Sequence, residues 1–97
     1  LSIGRDAALT ELRVLAESGL RDHTIAWNLT VQATKSLPQD YRIDALRTNV
    51  VDLLQAIEIE TILGGDCNTY RRQLTLLLDW IERQSEAGLQ KKGQHKK

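Results

Sequence analysis

The 97-residue sequence predicts an all-α fold, an antiparallel bundle of about four helices, and three observations carry that expectation. Apolar residues recur at spacings of three and four along four separate segments, the period that lines one face of a helix. No segment sustains the apolar–polar alternation of a half-buried strand. The turn signals are few and widely spaced: Gly19, the run "KSLPQDYR" and the pair Gly64–Gly65. Connections this short favour antiparallel neighbours.

The first helix is expected from about Arg5 to Ser18, with Leu9, Leu12, Leu15 and Ala16 on one face. Gly19 follows as its stop, because glycine takes a positive φ without a Cβ penalty. A second helix is expected over roughly Arg21 to Lys35. Ile25 and Leu29 share one side of it, and Leu20, Trp27 and Val31 widen the apolar surface. Its β-branched Thr24, Ile25, Thr30, Val31 and Thr34 make it intrinsically the weakest helix, so packing must stabilise it.

Ser36 offers a cap for the third helix, and Pro38, the only proline, suits an opening turn that needs no amide hydrogen. From there to Leu63 lies the longest regular segment. Ile43, Leu46, Val50, Leu53 and Ile57 step by three and four, while Ala45, Val51, Leu54 and Ile62 add a flank. This helix reads as the spine of the fold. After the glycine pair, Asp66 or Asn68 can cap a fourth helix reaching about Glu86. Tyr70, Leu74, Leu77 and Ile81 mark its apolar line, broadened by Leu78 and Trp80. Gly88 is its expected end, which divides the chain into a bundle over residues 1–87 and a flexible basic tail or linker over 88–97.

Hydrophobic residues make up 41% of the chain and charged residues 27%, a balance that supports a packed core rather than wholesale disorder. With no Phe and few other aromatics, that core must come mainly from Leu, Ile, Val and Ala. No apolar run approaches the ~20 residues of a membrane-spanning helix. The lone Cys67 has no internal disulfide partner, which fits a reducing cytoplasm. The sequence contains no methionine, so Leu1 is expected to be an end exposed by processing or by excision from a longer protein, the second being favoured.

Net charge is zero but uneven. Lys91, Lys92, Lys96 and Lys97 fall in the tail, and without them nine basic residues face thirteen acidic ones. An acidic body argues against nucleic-acid binding by the bundle. A basic arm touching phosphates is left as a minor reading of "GLQKKGQHKK".

The stretch "ILGGDCNTYRR" is the place to look for chemistry. A nucleophilic Cys67 would need a base, and the histidines are His23 and His95, the second in the tail. The glycine pair is not followed by the lysine of a phosphate-binding loop, and Asp66 puts a negative charge where an anion would sit. One Cys and two distant His provide no metal-ligand spacing. Glu58 and Glu60, two apart on a helix, point away from each other. "NLT" at Asn28–Thr30 matches a glycosylation acceptor of a kind common by chance. Trp27 and Trp80 are read either as core or as partner anchors.

No catalytic constellation, cofactor site or metal site emerges. Arg71 and Arg72 remain, in the first turn of the fourth helix, where the helix dipole disfavours cations. That cost suggests a purpose, either pairing with Asp66 or Glu60 or contact with an acidic partner. Glu58, Glu60, Arg71 and Arg72 are therefore the candidate partner-binding residues.

Three stretches, "LTELRVLAESGL" (9–20), "DYRIDALRTNVVDL" (40–53) and "LTLLLDWIER" (74–83), together resemble the small helical type of effector-associated domain from bacterial conflict systems. The resemblance implies an adaptor, fused to peptidases, nucleotide-driven switch proteins or other effectors, that pairs with a like domain. The expected function is thus a non-enzymatic protein-interaction domain. The alternative is an oligomerisation or regulatory bundle, dimerising through the third helix and the stripe Leu74, Leu77 and Ile81.

Overall fold

The computed structural model describes the backbone of residues 4–19 and 22–94 and the side chains of residues 4–19 and 22–86. Among these residues are four helices, α1 (Arg5–Ser18), α2 (His23–Ala33), α3 (Tyr41–Leu63) and α4 (Asn68–Gln94), and no strand. Each helix packs on its chain neighbour, α4 closes back onto α1, and α1 also touches α3 across the middle. Side-chain contacts give the direction of α1 against α4. The C-terminal Ala16 of α1 meets Arg71 at the start of α4, while Arg13, one turn earlier, reaches Asp79 and Glu82 further along it. The two helices are therefore antiparallel.

Local chemistry sets most of the boundaries. Gly19 ends α1 at φ 91°, and its amide donates to the Leu15 carbonyl. It is the positive φ that favours glycine here, since an added Cβ would make only ordinary contact, 3.6 Å from the α3 backbone at Glu58. Asp22 caps α2 by accepting from the amides of Thr24 and Ile25, so the helix begins at His23 rather than near Arg21. Gly64, at φ 74°, terminates α3 in the left-handed region that favours glycine. The Asp66 carboxylate then accepts from the Asn68 amide, and the Arg71 amide donates to the Cys67 carbonyl to close the first turn of α4.

Three expectations need correction. The α3 helix starts at Tyr41 because Asp40 accepts the Arg42 amide as its cap; Ser36 and Pro38 lie upstream in a turn. On α2 the buried positions are Ala26, Thr30 and Ala33, whereas Ile25 is 56% and Trp27 39% exposed. The side chains α2 buries are small, so its orientation does not follow sheer hydrophobicity. Leu20 lies outside the described residues. Lastly, α4 does not stop at Gly88 but continues to Gln94. An interior glycine costs a helix only about 1 kcal/mol against alanine. The following Leu89, Gln90, Lys91 and Lys92 are good helix formers. Residues 95–97 of the expected tail lie outside the described residues.

The core is aliphatic. Leu12, Val50, Leu54, Ile57, Leu74, Leu78 and Ile81 are each fully buried, as are Ala8, Ala26 and Ala33. The stripe of Leu74, Leu77 and Ile81, the expected dimer surface, thus packs inside the monomer. Ser85 continues that line, and its hydroxyl is buried with no hydrogen-bond partner among the described residues. An unpaired buried hydroxyl is a liability. Ser85→Ala is expected to raise unfolding free energy by about 0.5–1 kcal/mol in urea titrations. A clear loss of stability would show that the hydroxyl has a partner.

Candidate partner-binding face

A groove of about 530 Å³ lies between the start of α3, the middle of α4 and the linker from α2. Leu37 and Pro38 of the linker, Ile43, Ala45 and Leu46 of α3, and Trp80 of α4 supply its apolar lining. Asp40, Arg42, Asn49 and Gln84 supply the polar part. Trp80 is 42% exposed, so the indole is neither core nor free surface but one wall of the groove.

The linker wall is held by a partly buried polar network. Arg47, inward-facing on α3, donates from Nε to Thr34 Oγ1 at 2.8 Å and from an NH2 nitrogen to Gln39 Oε1 at 2.7 Å. The Gln39 amide nitrogen in turn donates to the carbonyls of Thr34 and Leu37. Thr34 and Thr30 return their hydroxyls to carbonyls four residues earlier, so both threonines are satisfied without solvent. Buried polar groups are tolerated on this condition. The network fixes the turn that leads from α2 to α3, and with it the position of Leu37.

On the rim, Arg42 pairs with Asp40 at 2.9 Å. The Asp40 carboxyl titrates below its ordinary value, chiefly because the Arg42 side chain donates to it, with the amides of Arg42 and Ile43 adding to the effect. These two charges neutralise each other, so the groove presents no net charge of its own.

Among the described residues no ion pair joins the four residues selected from sequence, Glu58, Glu60, Arg71 and Arg72. Arg71 donates from Nε to the Ala16 carbonyl at 2.9 Å and from an NH2 nitrogen to the Glu17 carbonyl at 3.0 Å. Its guanidinium sits on the negative end of the α1 dipole and satisfies carbonyls that the helix leaves orphaned. That explains a cation at the start of α4: its unfavourable position on one helix is offset by its position at the end of another. Glu58 packs at the α1–α2 corner beside Gly19, and the Glu60 carboxylate folds over Gly65, where a Cβ would otherwise stand. Neither glutamate is ion-paired with Arg71 or Arg72 among the described residues. Arg72 alone points outward and exposed.

Cys67 is buried in the core at the α3–α4 turn. Among the described residues no three His, Cys, Asp or Glu side chains converge as a metal site would require. Nor is any helix there long and apolar enough to cross a membrane. The chain matches no family model, no curated protein and no solved structure. The functional reading therefore stands on the groove, on what braces it and on the exposed side chains around it.

Sequence reasoning marked Trp80 as an anchor candidate but missed Arg47. Its signal was available: an arginine at position 47 falls on the same face as Ile43, Val50 and Leu54. A cation in the middle of an apolar stripe must have partners, because burying it unpaired is costly.

Proposed function

We propose that this chain is a non-enzymatic protein-interaction module whose docking site is the groove between α3 and α4. The observation that carries the reading is Trp80, half exposed against an apolar groove whose opposite wall is fixed by the Arg47–Thr34–Gln39 network. Half-exposed tryptophans beside a preformed apolar concavity are typical anchors of protein interfaces. The resemblance to effector-associated domains extends the proposal to an adaptor role within a larger bacterial conflict or signalling protein. The unpaired Cys67 supports a cytoplasmic setting.

The test is site-specific photocrosslinking in the cells the chain comes from. A crosslinking side chain at Leu76, exposed on α4 one turn before Trp80, should trap discrete protein adducts, and these should disappear when Trp80→Ala is added. The same probe at Glu11, exposed on α1, should trap none. Equal labelling at both positions would overturn the reading.

A further inference from the structure

The inference below rests on the docking-face reading and names the occupant. Each of α3 and α4 carries a second heptad line besides the one buried in the core. On α3 it runs through positions 45, 49, 52, 56, 59 and 63, stepping by four and three. On α4 it runs through 69, 73, 76, 80 and 83 with the same rhythm. Every position on both lines is exposed or half exposed. A line with this spacing runs the length of one helix face, where another helix can lie along it.

The large apolar members lie along these lines. Ile59 is 45% exposed, Leu63 74%, Leu76 62% and Trp80 42%. Ala45 and Ala56 keep α3 thin where a second helix would have to come close.

The charges decide what the partner is. Asp52 is the acid of the α3 line; Arg83 is the base of the α4 line, and Arg72 flanks that line one turn from Leu76. None of the three is ion-paired among the described residues. Ala45 and Asn49 near the start of α3 line the same groove as Trp80 and Gln84 well along α4, and the short turn over residues 64–67 reverses the chain between the two helices. On the antiparallel pair this places Asp52 at a height between Arg72 and Arg83. The acid is on one helix and the bases are on the other, so the face is complementary to itself. A two-fold contact requires that property, because each patch must bind its own copy.

We propose that the α3–α4 face pairs with a second copy of this chain about a two-fold axis running along the helices. In this arrangement α3 of one copy lies on α4 of the other. Asp52 of each copy then faces Arg72 and Arg83 of the other, and Leu63, Leu76 and Trp80 leave water.

Sedimentation equilibrium on the full 97-residue chain tests this. The wild type is expected to show a monomer–dimer equilibrium that weakens with salt. Asp52→Arg in one variant, and Arg72→Asp with Arg83→Asp in another, should each weaken self-association at least about tenfold, since like charges then face each other. Mixed in equal amounts, the two variants should recover a dimer, because both cross-copy contacts become attractive again. All three positions are exposed, so circular dichroism should show unchanged helix content. A wild type that stays monomeric, or variants that dimerise as the wild type does, overturns the proposal. A monomer whose Leu76 probe still traps another protein in a Trp80-dependent way overturns the second copy alone and leaves the docking face standing.

Discussion

Leu54→Ala is expected to cost the domain about 3–4 kcal/mol of unfolding free energy, read as a fall in the urea midpoint at unchanged slope. Leu54 is fully buried on α3, where the helix meets the rest of the core. Truncation removes the transfer free energy of three carbons and leaves a cavity that the surrounding helices fill only in part. A 97-residue domain holds roughly 5–15 kcal/mol in total, so the loss is a large share of it. Leu63, nine residues on along the same helix, provides the control. It is 74% exposed, and at concentrations where the chain is monomeric Leu63→Ala should shift stability by less than about 0.5 kcal/mol. Comparable losses at the two leucines would contradict the orientation of α3.

Arg47→Met is expected to cost about 2–3 kcal/mol, although methionine fills much the same volume. The reason is what remains behind. Thr34 Oγ1 loses its donor inside the protein, and a buried acceptor without that partner pays its desolvation, while the exposed Gln39 can turn its Oε1 to water. The loss should be local as well as global. Amide exchange of Leu37 and the rest of the α2–α3 turn should accelerate more than exchange of α4, because Gln39 then no longer ties the turn to α3. A double-mutant cycle with Gln39→Leu should show coupling, the double variant losing less than the sum of the two single losses. Additive effects would mean that the network is only a set of neighbours. Since Leu37 and Pro38 wall the groove, Arg47→Met should also weaken partner crosslinking without any change in a groove side chain.

The helical segments were legible in the sequence for different reasons. In α1 the leucine spacing, the glycine stop and the structure agree from Arg5 to Ser18. In α3 the apolar line of Ile43, Val50, Leu53 and Ile57 is the buried face, as its period requires. The start of α3 was misread because proline and serine offered plausible caps, while the amide of Arg42 chose Asp40. The end of α4 was misread because glycine is a strong stop only when it can take a left-handed conformation. Within a run of good helix formers it is merely a weak residue. On α2 hydrophobicity pointed to Ile25 and Trp27, but the small Ala26, Thr30 and Ala33 are the buried side chains and those large ones are exposed.

The candidate site was legible only in fragments. Trp80 could be marked as an anchor because of its residue type, but nothing in one sequence says that Leu37 and Pro38 face it from another element. The case of Arg71 is similar. The sequence exposes the anomaly of two cations at a helix start; only the fold shows α1 ending against one of them.

By itself, the sequence determined the class of object: an all-helical bundle with an aliphatic core, its turns and the helix periods that line it. These are local properties, set by backbone conformation and by side-chain spacing within a few turns. The tertiary structure alone decided which apolar residues are core and which are surface, that Arg71 caps α1, that Arg47 braces a linker, and that a groove opens beside Trp80. Each of these depends on residues far apart in the chain being brought within a few ångströms. Periodicity along one helix carries no information about what lies across from it.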